Sequence, residues 1–88
     1  VPMEETIRSL QEKCTEIVED SYSYLSRKMD LGTREQKLLK KVLNASLQRM
    51  IKEPIQELKH LETRKEQADY KKMVEQLFGI DTKKGTDL

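Results

Sequence analysis

Cys14 and His60 are the single cysteine and the single histidine of the 88-residue chain, so they are the first places to look for chemistry. A thiolate nucleophile needs a base and an accessible, electropositive setting. Cys14 instead stands at helical spacing between Leu10 and Ile17, which predicts a packed thiol. A zinc site is built from several Cys and His ligands, and one of each leaves it to lean on carboxylates. His60 sits among Glu57, Lys59 and Arg64, the pattern of a surface histidine. Gly32, Gly79 and Gly85 lie too far apart to form a dinucleotide or phosphate loop. No catalytic, cofactor-binding or metal-ligating residue is therefore expected. A basic cluster remains in Lys40, Lys41, Arg49 and Lys52, with Tyr22 and Tyr24 able to stack on bases. Glu35, Glu53 and Glu57 balance it through neighbouring-turn pairs worth a few tenths of a kcal/mol each.

The elements that carry these residues read as helices. Residues 2–29 form the first. Pro2 suits a first helical turn, and Glu4 and Glu5 sit where the helix dipole favours anions. Met3, Ile7, Leu10, Cys14, Ile17, Ser21 and Tyr24 are spaced 4, 3, 4, 3, 4 and 3 apart, a heptad seam facing another helix. Val18, Leu25 and Met29 widen the stripe. At ~1.5 Å per residue this helix is roughly 40 Å long, and it outreaches a compact monomer about 25 Å across.

Asp30, Leu31 and Gly32 read as a loop, with Gly32 free to adopt positive φ. Residues 33–61 then form a bent arm. Thr33 and Gln36 can close a capping box. Leu38, Leu39, Val42, Leu43, Leu47, Met50 and Ile51 give the apolar stripe. Pro54 predicts an end or kink near Lys52 or Glu53, with a second short helix beyond it through Ile55, Leu58 and Leu61. A last helix, 64–78, is announced by Thr63 with Glu66 and carries Tyr70, Met73, Val74, Leu77 and Phe78 on one stripe. Gly79 predicts a left-handed cap, with Ile80 folding back. Residues 81–88 read as a flexible tail. The fold expected is all-α: a long N-terminal helix followed by three shorter ones.

Composition shapes how that bundle closes. Apolar residues are 35% of the chain and charged residues 38%, too thin for a self-sufficient core in so short a chain. A bundle completed by a partner is the natural solution, with Ile7, Leu10, Cys14, Ile17, Leu25, Leu39, Val42, Leu43, Met50 and Ile51 as the core or interface. The net charge of +1 supplies no large field toward nucleic acid or an acidic membrane. One cysteine allows no internal disulfide and suits a reducing compartment, here the cytoplasm. No apolar run approaches the roughly 20 residues of a membrane span, and no signal peptide is visible. The Val-Pro start suggests a piece of a longer protein.

Taken in order, the residues resemble a known family. Ile7-Arg8, Leu10, Glu12-Lys13, Arg27-Lys28, a short loop, Thr33-Arg34-Glu35, an apolar helix, Pro54-Ile55, Leu58-Lys59 and Leu77-Phe78-Gly79-Ile80-Asp81 follow the succession seen in the C-terminal dimerisation domain of glutamyl-tRNA reductases. The resemblance runs from Val1 to Asp81. Before the proline that family usually shows Asn-Lys-Leu-Leu-His; here Gln48, Arg49, Met50, Ile51 and Lys52 keep the basic second position and the apolar character.

The resemblance implies a homodimerisation domain over 1–80, with 1–29 as the far end of a long spinal helix. It implies an enzyme that uses NADPH to reduce glutamyl-tRNA to glutamate-1-semialdehyde at the start of tetrapyrrole (porphyrin) synthesis. The catalytic cysteine and the NADPH-binding domain would lie outside this segment, so Cys14 is not that thiol. The fragment itself would be non-catalytic and bind no cofactor. The residues alone leave two other readings open: a helical tRNA-contacting module using Lys40, Lys41, Arg49 and Lys52, and an adaptor for an unrelated partner.

Overall fold

The computed structural model describes residues 2–80. It contains α1 (Pro2–Lys28), α2 (Thr33–Lys59) and α3 (Arg64–Phe78), and no strand among the described residues. Three helices therefore replace the expected four, and the first two are equally long at 27 residues each. The expected tail, 81–88, lies outside the described residues.

The difference lies at Pro54, which is inside α2 rather than at a joint. Proline there deprives the Met50 carbonyl of its amide donor and crowds it with the ring. The apolar phase nevertheless crosses the proline unbroken, with Leu47, Ile51, Ile55 and Leu58 on one stripe. Ile51 and Leu58 are buried on either side of it, and Ile55 packs against the same core. Breaking the helix would pull one half of that stripe off the core, so continuity wins.

The helix ends follow local chemistry. α2 is capped by Gly32, one residue before the expected Thr33. Glu35 accepts a hydrogen bond from the Gly32 amide at 2.9 Å, and Gln36 Nε2 donates to the Leu31 carbonyl at 3.0 Å. Gly32 is extended at φ −74°, not in the left-handed region. At α3, Thr63 Oγ1 accepts from the Glu66 amide at 3.1 Å while Glu66 Oε1 accepts from the Thr63 amide at 3.2 Å, a reciprocal capping box. That pairing holds the Glu66 carboxyl below its ordinary pKa. α3 ends at Gly79, φ 62°, where the Ile80 amide reaches back to the Glu75 carbonyl at 3.1 Å and Ile80 packs on the core.

α1 and α2 form an antiparallel hairpin across residues 29–32, and α3 folds back onto α1. The molecule is elongated, 50 × 31 × 19 Å, with a radius of gyration of 15.8 Å against about 12 Å for a compact chain of this length. Its core sits at one end. Met3, Leu10, Cys14, Ile51, Leu58 and Val74 cluster there, with Ile7, Leu47, Ile55, Leu61 and Phe78 packed around them. The buried stripe of α1 runs Met3, Leu10, Cys14 and Val18, closer to the 3.6 period of a straight helix than to a 3.5 seam. Ile17 and Tyr24, placed in the heptad seam by spacing, are exposed instead.

Candidate association surface

The other end of the hairpin has no core of its own. From Glu19 through Met50 no residue is buried, although this arm carries Leu25, Met29, Leu31, Leu38, Leu39, Val42 and Leu43. At its tip the two helices and the loop leave an open apolar hollow of about 330 Å³. It is walled by Leu25, Met29 and Leu31 from one side and Leu38, Leu39 and Val42 from the other. Across the arm, Lys40 Nζ lies 3.6 Å from Glu19 and 4.4 Å from the centre of the Tyr22 ring, beside the half-buried Leu25, Leu39 and Leu43.

Apart from Met29 and Leu38 at the tip hollow, the exposed apolar side chains of α1 and α2 share one side of the hairpin. Counting roughly 100° per residue, Thr6, Ile17 and Tyr24 fall on one flank of the buried stripe of α1. Leu39, Val42, Ser46 and Met50 fall on one flank of that of α2. Viewed from a common point, antiparallel right-handed helices wind in opposite senses, and these two flanks open in the same direction. Near Met3 and Thr6 that side is closed by α3, and Thr6 is fully buried. Ile17, Tyr24, Val42 and Met50 on the same side are left uncovered. Ser46 suits this side, because its hydroxyl is already spent on the Val42 carbonyl at 2.8 Å. α3 adds a second uncovered stripe of Tyr70, Met73 and Leu77, while Val74 and Phe78 from the same predicted face turn into the core.

The ten residues singled out by sequence thus divide. Leu10, Cys14 and Ile51 are buried within the chain, and Ile7, Leu25, Leu39 and Leu43 are half-buried. Ile17, Val42 and Met50 are exposed in the single chain. Leu31 was hidden by its place in a loop, and its role at the tip hollow has no signal in helical periodicity. Leu38 and Met29 were visible as apolar positions, but their place around the hollow depends on how the hairpin closes.

The polar candidates offer no reactive arrangement. Cys14 is buried, and loss of solvation pushes its thiol pKa up, away from the reactive thiolate. His60, which caps the C-terminal end of α2, donates from Nδ1 to the Gln56 carbonyl one turn back at 2.6 Å. Among the described residues no group of three or more His, Cys, Asp or Glu is placed to hold a metal. Both described glycines sit at helix ends, and the amide of Gly32 is already occupied by the Glu35 carboxylate, which would repel a pyrophosphate. With no strand among the described residues to lead into a glycine turn, these residues do not fit the binding of a nicotinamide dinucleotide. No helix among the described residues is long and apolar enough to cross a membrane.

Residues 2–80, the whole of this helical unit, match the family model of the glutamyl-tRNA(Glu) reductase dimerisation domain. The chain belongs to this family. Its relatives include the glutamyl-tRNA reductase of Clostridium novyi, 36% identical over 76 residues that make up 86% of this chain and 18% of the relative. The glutamyl-tRNA reductases of Staphylococcus carnosus and Staphylococcus saprophyticus are each 32% identical over 76 residues, 85% of this chain and 17% of theirs. The chain therefore spans less than a fifth of the length of these relatives. No solved structure matches it.

Proposed function

We propose that this chain is the dimerisation domain of an NADPH-dependent glutamyl-tRNA reductase. The whole enzyme would convert glutamyl-tRNA to glutamate-1-semialdehyde for porphyrin biosynthesis in the cytoplasm. The observation that carries the dimerisation reading is the uncovered arm. Thirty-two consecutive residues, 19–50, contain no buried side chain, yet their apolar residues gather on one side and around the tip hollow. Exposed apolar patches of this kind mark association sites. A second copy of the arm, set against the first about a two-fold axis, would close the side formed by Ile17, Tyr24, Leu39, Val42 and Met50. Such self-complementary contact is what two-fold symmetry requires.

Ile7, Leu10, Cys14 and Ile51 then serve each chain's own core, and Ile17, Leu25, Leu39, Val42, Leu43 and Met50 serve the dimer. Residues 1–29 continue, on this reading, a longer spine from the remainder of the enzyme, where glutamyl-tRNA and NADPH would be handled. The non-reactive setting of Cys14 fits a segment that positions catalytic machinery rather than supplying it. Sedimentation equilibrium at micromolar concentration tests the dimer. A mass of two chains is expected; a monomer with a cooperative thermal transition would exclude it.

A further inference from the structure

The side of the hairpin away from the apolar arm carries a different signal. α2 holds seven basic residues (Arg34, Lys37, Lys40, Lys41, Arg49, Lys52, Lys59) and three acidic ones (Glu35, Glu53, Glu57), a net of +4 within a chain whose total is +1. At roughly 100° per residue, Arg34, Lys37, Lys41, Lys52 and Lys59 fall within an arc of about 60°, with Gln48 among them. The three glutamates of α2 lie outside that arc. All five cations are exposed, and the two side-chain ion pairs found among the described residues, Lys40–Glu19 and Lys65–Asp69, involve none of them. Along the second half of this face runs a shallow groove of about 500 Å³. It is lined by Ala45 and Ile55, by Arg49, Lys52 and Lys59, and by Gln48 and Gln56.

We propose that this face of α2 binds the phosphate backbone of tRNA. Cations with no carboxylate partner among the described residues are retained along a rigid rod of roughly 38 Å, a length that spans several successive phosphates. Lysine ammonium groups neutralise phosphates without reading sequence, and glutamine amides between them can donate to phosphate or sugar oxygens. The face lies on the opposite flank of α2 from Leu39, Val42 and Met50, so a dimer joined through the apolar side leaves it open. It would let the dimerisation domain steady the substrate at a distance from the reacting glutamyl ester. The inference rests on reading the chain as part of a tRNA-handling enzyme, but dimerisation and tRNA contact are carried by different residues and can fail separately.

The test uses the whole enzyme and a deacylated tRNA(Glu) transcript, with affinity measured from 0.05 to about 0.3 M salt. The variant Lys41→Gln/Lys52→Gln/Lys59→Gln should bind at least about tenfold more weakly near 0.1 M salt. Its plot of log K against log salt should be shallower by about 2–3, since each lost phosphate contact removes 0.7–0.9 from the slope. Its dimer mass should not change. A charge-matched variant off the face, Lys28→Gln/Lys65→Gln/Lys72→Gln, should keep parental affinity. The proposal is overturned if the α2 variant binds with the parental slope, or if the off-face variant loses as much. It is also overturned if the parent does not bind the transcript, or if the α2 variant dissociates into monomers, which would assign this face to the subunit contact. A monomeric parent would instead refute the dimerisation reading alone.

Discussion

Met50 and Ile51 are adjacent, both apolar, and should fail in different ways. Ile51 is 1% exposed and Met50 60% exposed in the single chain. Ile51→Ala removes three carbons from the middle of the core formed with Leu10, Cys14 and Leu58. Such a truncation costs about 2–5 kcal/mol, through lost transfer energy and the cavity left behind. A chain of this size has roughly 4–13 kcal/mol to lose, so the variant should melt about 8 °C or more below the parent. Met50→Asp touches almost nothing within the chain and should alter the fold of an isolated chain by less than about 0.5 kcal/mol. In a dimer closed over Met50, however, the same aspartate is a carboxylate stranded in an apolar contact. That costs about 3 kcal/mol or more, over a hundredfold in the dimer constant. Circular dichroism melts and sedimentation equilibrium at two concentrations a hundredfold apart separate the two effects. Ile51→Ala should lower the melting temperature at both concentrations. Met50→Asp should give a helical monomer where the parent is a dimer. If Met50→Asp dimerised as tightly as the parent, the assignment of this flank to the subunit contact would be wrong.

Further outcomes follow from single positions. Gly79→Ala must place a side chain at φ 62°, where the surroundings are open, so its cost is conformational, about 1 kcal/mol; Gly32→Ala, at an ordinary φ with only the flexible Glu35 carboxylate 2.5 Å from the new carbon, should cost less in the same thermal melt. Thr6 is buried and its hydroxyl has no hydrogen-bond partner among the described residues, so Thr6→Val should raise stability by about 1 kcal/mol in a urea titration; a destabilised variant would mean the hydroxyl has a partner after all. Hydrogen bonds from Thr63 lower the pKa of Glu66, so its contribution is present above the ordinary glutamate range and lost as pH falls through the depressed value. Acid titration of the parent and Glu66→Gln should therefore converge at low pH, with the parent more stable near neutrality.

The local punctuation of the chain was legible because its physics is local. The capping box at Thr63 and Glu66, the left-handed Gly79 and the return of Ile80 each involve residues a few positions apart. The helical spacing of apolar residues in α1 and α3 was legible for the same reason, although the seam drawn through Ile17 and Tyr24 was not the buried one. A side chain's burial is a different matter, since it depends on where the neighbouring helices pack. Thr6 is buried while Ile17 and Tyr24, on the same flank of α1, are exposed, and no pattern within α1 records where its neighbours pack. Pro54 shows the same division: its own stereochemistry argues for a break, but Ile51 and Leu58 on either side are held by one core, and the helix continues. What the sequence determined by itself was the all-helical character, the segments of α1 and α3, the cap and close of α3, and the supply of apolar and basic residues. Tertiary structure alone decided which of those residues became core and which were left open, because that choice is made by the packing of distant elements rather than by the spacing within one.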